Sequence, residues 1–231
     1  MHERDLLNQQ IDYYRARARE YDEWFFRLGR YDRGPTHRAE WMAEVAVVEA
    51  ALRETLPSGT VLELACGTGI WTQHLASSGR RVLAVDASPE VIALNRARLK
   101  SDAIEYVTAD LFSWTPPPAQ FDAVFFGFWL SHVPATRFEE LWQRVRVALK
   151  RDGVAFFVDS LLDQTSTARD HGPIDTAGVA RRRLNDGREF EVVKVFYEPK
   201  TLEQQLIQSG WRGWIRSSGK FFFYGAMTPT P

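Results

Sequence analysis

Short continuous apolar runs alternate along this chain with longer stretches in which apolar residues recur every three or four positions. The runs around Val61–Leu64, Arg81–Val85, Ile104–Ala109, Phe121–Phe128 and Val154–Val158 read as strands, because a strand buried on both faces needs no polar alternation. Met42, Val45, Val48 and Leu52 share one face of a helix expected from about Glu40 to Leu56, which Pro57-Ser58-Gly59 stops. Further helices are expected through Trp71–Ser77, from Pro89 to Lys100, from Thr136 to Leu149 and from Thr201 to Ser209. Pro116, Pro117 and Pro118 break the chain before the fourth strand. A strand ending near Tyr197 and a closing one from Lys220 to Met227 bring the expected sheet to seven strands. Such alternation predicts an α/β fold built on a doubly wound, mostly parallel sheet.

Two segments fall outside that pattern. Residues 1–38 hold an amphipathic stretch, Tyr13-Tyr14-Arg15-Ala16-Arg17-Ala18-Arg19-Glu20-Tyr21-Asp22, followed by Trp24-Phe25-Phe26; mixed aromatics and arginines suit a helical lid over a ligand. Residues 160–190 follow the fifth strand, and Asp186-Gly187 between alternating residues predicts a hairpin with a primed turn. Such an insertion can wall off a substrate pocket or form a dimer contact. The run Arg181-Arg182-Arg183 reads more readily as a solvated face than as an anion site.

Composition narrows the class. The 231 residues suffice for one domain with a full core. A formal net charge of −1 gives no overall field toward nucleic acid or acidic membranes, and Asp12, Glu20, Asp22 and Glu23 dilute the basic N-terminal stretch. The single cysteine, Cys66, excludes an internal disulfide framework and fits a reducing compartment. No apolar stretch is long enough to span a bilayer and the polar start, Met1-His2-Glu3-Arg4-Asp5, is unlike a signal peptide, so a cytoplasmic protein is expected. The histidines are scattered without ligand spacing, and no metal is expected.

The chemistry concentrates at Val61-Leu62-Glu63-Leu64-Ala65-Cys66-Gly67-Thr68-Gly69-Ile70. A buried strand that turns through glycines into a helix sets backbone N–H groups against a ligand with no side chain in the way. Dinucleotides and S-adenosylmethionine both use such a turn. A pyrophosphate would be poorly placed beside Glu63, whereas the ammonium and sulfonium of S-adenosylmethionine suit that carboxylate. The dinucleotide pattern also wants a glycine where this chain has Ala65 and a third small residue where it has Thr72.

The next two strands also end near acids. Asp86, followed by Ala87, can bind both ribose hydroxyls of an adenosine, because Ser88-Pro89-Glu90 supplies the cap of the following helix. Asp110 can accept the adenine amino group while Leu111 and Phe112 line the ring. Three carboxylates thus share the edge of the sheet where ligands of open α/β folds bind.

With these pieces, and with Phe121-Asp122-Ala123-Val124-Phe125-Phe126 and Leu149-Lys150-Arg151-Asp152-Gly153, nearly the whole chain resembles the class I S-adenosylmethionine-dependent methyltransferases. The resemblance implies their Rossmann-like seven-stranded sheet with its last strand antiparallel, and S-adenosylmethionine as cofactor. It implies that Glu63, Ala65, Gly67 and Gly69 hold the methionine part, Asp86 the ribose and Asp110 the adenine. The N-terminal stretch is similar to a lid pattern of small-molecule members, Y-x-x-R-A-x-E-Y-D, which assigns Tyr14, Arg17 and Tyr21 to the cofactor.

Methyl transfer needs an in-line nucleophile and exclusion of water, plus a general base if the acceptor is a hydroxyl but none if it is a carboxylate. His132, in the loop after the fourth strand, is the candidate base, with acceptor positioning and a structural role left open. Trp24, Trp129, Asp159 and His171 are the expected substrate-pocket residues. Abundant aromatics favour a small apolar or aromatic acceptor methylated at a hydroxyl or carboxylate oxygen, without nucleic-acid or membrane partners. An RNA or protein methyltransferase, a non-catalytic cofactor-binding scaffold and, more distantly, an NAD oxidoreductase are the competing readings. The oligomeric state and the acceptor itself stay open.

Overall fold

A computed structural model of the chain describes residues 2–77, 79–172 and 178–230. The elements run in the order α1 (Glu3–Arg17), α2 (Tyr21–Phe25), α3 (Pro35–Thr55), β1 (Thr60–Leu64), α4 (Thr72–Ala76), β2 (Arg81–Asp86), α5 (Pro89–Leu99), β3 (Ile104–Thr108) and β4 (Phe121–Gly127). They continue with α6 (Phe138–Ala148), β5 (Leu149–Ser160), β6 (Val179–Arg183), β7 (Glu189–Val193), α7 (Pro199–Gln208), β8 (Trp211–Ser217) and β9 (Phe222–Pro229).

Seven strands form one sheet in the order β3-β2-β1-β4-β5-β9-β8. β9 runs antiparallel to both its neighbours, β5 and β8, and the other pairings are parallel. The order reverses between β1 and β4, and that switch point lies beside the glycine turn. The expected fold is therefore the observed one, with one strand exchanged. The strand expected to end near Tyr197 ends at Val193 and pairs only with β6, outside the main sheet. The seventh place belongs to β8, Trp211-Arg-Gly-Trp-Ile-Arg-Ser, an edge strand that is largely exposed and so lacks a continuous apolar run.

Alternation along the central strands splits the core in two. Phe125 and Phe156 face a layer holding α3, α4 and α5, where Trp41, Val45, Val48 and Leu52 of α3 are buried. Phe126 and Phe157 face the other side, against Trp142 of α6 and Leu202 of α7. Each such ring removes an apolar area from water that stabilises by roughly 1.5–3 kcal/mol. α5 starts as its sequence predicts: Pro89 occupies its first turn and the Ser88 hydroxyl accepts the Val91 N–H at 3.2 Å.

The two segments outside the sheet pack on each other. Tyr13 of α1 is buried with Ala180, Leu184 and Val192 of the β6–β7 hairpin. The Gln10 side chain donates to the His132 carbonyl at 3.0 Å and accepts the Val193 N–H at 3.0 Å. The fully buried Arg27 donates to the carbonyls of Thr165 and Ser166 at 2.5 and 3.0 Å, and Trp24 Nε1 reaches Ser166 O at 3.0 Å. Lid and insertion thus make one roof over the C-terminal edge of the sheet. The hairpin turn differs from the expected two-residue primed form. Leu184 N–H donates to Arg188 O, Gly187 N–H donates to Leu184 O, and Gly187 alone takes a positive φ (+90°), so the loop is the three-residue Asn185-Asp186-Gly187.

Candidate active site

Two adjoining cavities lie between the sheet edge and the roof, and Tyr14, Tyr21, Phe128 and His132 line both. The one over the glycine turn holds about 700 Å³ of non-atom space, its open mouth included, and is bounded by Ala65, Gly67, Asp86, Ala87, Asp110, Leu111, Phe112 and Trp129. Several expected cofactor residues are therefore neighbours in space. Gly69 is not on this wall. A Cβ there would stand 2.6 Å from Asn95 Oδ1, so this glycine lets α5 approach the turn. Ala65 takes φ +56°, a left-handed conformation that costs an alanine about 1–2 kcal/mol, and so opens the turn where the strand ends.

Asp86 accepts the N–H groups of Gly67 and Ser88 at 3.0 and 2.9 Å, which fixes the turn to the end of β2. Burial nevertheless raises its pKa, and those two N–H bonds oppose the rise. Glu63 is 1% exposed, and burial pushes its carboxyl up to about 8 while a Thr72 hydrogen bond pulls the other way. Its Oε2 is buried without a partner among the described residues and borders a small recess shared with Tyr21, Ala65 and Gly67. An orphaned carboxylate oxygen at that position fits a ligand ammonium, as the methionine part of S-adenosylmethionine presents. Asp110 Oδ1 accepts the Phe112 N–H at 2.9 Å, and Phe112 and Trp129 face each other with ring centroids 6.0 Å apart. Two aromatic rings at the mouth suit a flat heterocycle. Trp129, expected in the substrate pocket, thus lies on the glycine-turn side.

The second cavity holds about 650 Å³ on the same measure, and Trp24 and His171, two of the residues expected in the substrate pocket, line it. Its walls are aromatic, with Tyr13, Tyr31 and Phe196 beside the shared rings, but Arg17, Arg182 and Lys194 also line it. Arg17, expected at the cofactor, sits here among Tyr13, Tyr21 and Tyr31, with its guanidinium carbon 5.1 Å from the Tyr21 ring centre. Asp159 does not reach the cavity. It is fully buried beneath the floor, where it accepts the Ser131 and Ser160 N–H groups at 2.8 and 2.7 Å and lies 3.7 Å from Lys194 Nζ.

Arg182 and Lys194 were not expected. Arg182 sits inward between Ala180 and Leu184, and Lys194 follows Val192 and Val193 into the roof. The signal was the period of two: a cation on the apolar face of a strand. Lys194 donates to Ser131 Oγ at 2.7 Å, and burial lowers its pKa to about 8 against the opposing pull of Asp159. Burial likewise lowers the His171 pKa to about 4 and that of His132 well below the ordinary value.

The lid is tied across the turn. Thr68 Oγ1 donates to Asp22 Oδ1 at 2.6 Å, and Arg98 of α5 pairs with the same carboxylate. Among the described residues no cluster of three or more His, Cys, Asp or Glu could hold a metal, and no helix is long and apolar enough to cross a membrane.

A family model described as "Methyltransferase domain" matches residues 61–153, from β1 into β5. The chain is 39% identical to DhpI in its complex with SAH, covering 100% of both chains at a TM-score of 0.80. For DhpI in complex with SAM and HEP the identity is again 39%, over 99% of this chain and 100% of that one, at a TM-score of 0.79. A ubiquinone biosynthesis O-methyltransferase of Xanthomonas campestris pv. campestris (strain B100) is 29% identical over 106 residues, which are 44% of this chain and 44% of that relative's length.

Proposed function

We propose that this chain, which belongs to the class I S-adenosylmethionine-dependent methyltransferases, transfers a methyl group to an oxygen atom of a small-molecule acceptor. One observation carries this reading: two cavities of similar size meet at a common wall of Tyr14, Tyr21, Phe128 and His132. Such a pair can hold a cofactor and an acceptor side by side under a roof that excludes water. The complexes of DhpI with SAM and SAH support the cofactor, and the O-methyltransferase relative supports oxygen as the acceptor atom.

In this reading Glu63 receives the ammonium of the methionine part, Asp86 the ribose hydroxyls, and Asp110 with Leu111 the adenine. Ala65, Gly67 and Ala87 form the floor, and Tyr14 and Tyr21 close over it. The bound cofactor supplies an electrophilic methyl group on sulfur. The chain's own work is to fix that group beside the second cavity, to orient the acceptor and to shed bulk water. His132 positions the shared wall, since its Nδ1 lies 2.6 Å from the Val193 carbonyl and its Nε2 lies 2.8 Å from the Tyr14 hydroxyl.

Calorimetric titration with S-adenosylhomocysteine tests the cofactor half, and release of that product from S-adenosylmethionine with a panel of phenols and organic acids tests the transfer half. Micromolar binding with acceptor-dependent turnover is expected. Binding without turnover on any acceptor would favour a scaffold role, and an absence of binding would remove the reading altogether.

A further inference from the structure

Arg17 and Arg182 are 8% and 9% exposed, and among the described residues neither has a carboxylate within ion-pair distance. Arg182 Nη1 is buried with no hydrogen-bond partner among the described residues, and Arg17 offers Nη2 only to the Tyr31 hydroxyl, at a long 3.3 Å. The third cation, Lys194, has Asp159 at 3.7 Å. Among the described residues the one carboxylate on the cavity wall, Asp163, is held elsewhere, by the Thr165 N–H at 2.7 Å and by Lys220 at 3.6 Å. The cavity therefore carries positive charge that the described residues do not balance. Burying an uncompensated guanidinium costs several kcal/mol, so a site of this kind is built for an anion that arrives with the ligand.

The cofactor can supply part of that anion. Its single carboxylate suits Arg17, which lies against Tyr21 at the wall common to both cavities. One carboxylate cannot serve both guanidiniums, and Arg182 with Lys194 stays open to the acceptor.

We infer that the acceptor is a small organic acid whose oxyanion head, a carboxylate or a tetrahedral oxyanion, is held by Arg182 and Lys194, and that the methyl group is added to the oxyanion itself. This rests on the methyltransferase reading above and names the acceptor class for that site. In the transfer, a lone pair of the anionic oxygen forms the C–O bond, the C–S bond breaks, and its electron pair stays on sulfur. The sulfonium becomes a neutral thioether and the acceptor loses one negative charge, so no proton has to leave. The absence of a proton step agrees with the site: each ring nitrogen of His132 already has a partner, and burial holds its pKa down.

Titration of the wild-type protein saturated with S-adenosylhomocysteine tests the inference, with benzoate and inorganic phosphate as the two oxyanion probes and benzamide as the neutral control. At least one oxyanion is expected to bind about tenfold or more tightly than benzamide, and which of the two does so tells a carboxylate site from a tetrahedral one. Arg182→Gln should lose about tenfold or more of that affinity, Arg182→Lys should recover part of it, and S-adenosylhomocysteine should bind all three proteins alike. Oxyanions that bind no better than benzamide, or as well to Arg182→Gln as to wild type, would overturn the inference. Failure of wild type to bind S-adenosylhomocysteine would instead strike the cofactor reading, and the first titration separates the two.

Discussion

The Tyr14 hydroxyl lies 2.8 Å from Nε2 of His132, and the opposite ring nitrogen faces the Val193 carbonyl at 2.6 Å. A carbonyl oxygen only accepts, so Nδ1 carries the hydrogen and Nε2 accepts from Tyr14. The imidazole is neutral and its one lone pair is in use. A general base would be expected to contribute about 100-fold or more to turnover. His132→Gln, which keeps a polar side chain at the wall, should therefore lower kcat less than about tenfold for an acidic acceptor. A loss beyond about 100-fold, with acceptor KM unchanged, would restore the base assignment.

Glu63 is expected to make cofactor binding depend on protons. Its folded pKa of about 8 lies above the ordinary glutamate value of 4.5, so its contribution to stability is fully present below pH 4.5 and is lost as pH rises through 8. An ammonium docked on its free oxygen favours the ionised form and expels the proton. Between pH 6 and 8, S-adenosylhomocysteine should bind with proton release, seen as a dependence of the calorimetric enthalpy on buffer ionisation heat. Glu63→Gln should abolish that dependence; an unchanged one would remove Glu63 from the linkage.

Asp86 carries two duties, since it holds the glycine turn by the Gly67 N–H and faces the cavity. Asp86→Ala should lower affinity for S-adenosylhomocysteine by roughly 10- to 100-fold, the range of a charged hydrogen-bond acceptor. Circular dichroism checks that the sheet persists. A variant that binds as wild type does would disprove the ribose assignment.

Lys194 is expected to set the alkaline limit of acceptor binding. With its pKa lowered to about 8, the ammonium is present below that pH and lost above it, beside Asp159, Arg182 and Arg17. The KM for an anionic acceptor should rise from pH 8 upward while the affinity for S-adenosylhomocysteine stays level. Lys194→Met should show the high KM at every pH; a profile that still bends near 8 in that variant belongs to another group.

Asp22 joins the lid to both Thr68 and Arg98. Asp22→Asn keeps one acceptor oxygen for Thr68 but gives up the charge, so α1 and α2 should exchange amide hydrogens faster and release S-adenosylhomocysteine sooner. Hydrogen exchange of residues 3–25 reads the first effect and stopped-flow the second. Unchanged exchange would mean that the roof contacts of Gln10 and Arg27 suffice to hold the lid.

The central sheet was legible because buried parallel strands are continuous apolar runs, and the acids at their ends stand out against that background. The edge strand β8 was not, because exposure of Arg212, Gly213 and Arg216 gives it the polarity of a loop. The same limit hid the second cavity. Arg182 lies between two exposed arginines and reads as surface until Ala180 and Leu184 are seen to share its face. Asp159 failed in the opposite sense: a carboxylate at a strand end invites a ligand, but the neighbouring N–H groups of Ser131 and Ser160 had already claimed it. Chain order could not reveal that lid and insertion touch, since the Gln10–Val193 contact spans 183 positions.

That separation fixes an order of assembly during synthesis. The glycine turn and the acids Glu63, Asp86 and Asp110 at or after the ends of β1, β2 and β3 are all made by residue 110, and so leave the ribosome well before the hairpin exists. Helix α1 is translated first, but Gln10 gains its His132 partner only past the middle of the chain and its Val193 partner later still, so its apolar face must wait through most of translation. A ribosome stalled before the hairpin would hold a nascent chain whose glycine turn and strand-end acids are already made, while the second cavity still lacks the wall that carries Arg182 and Lys194.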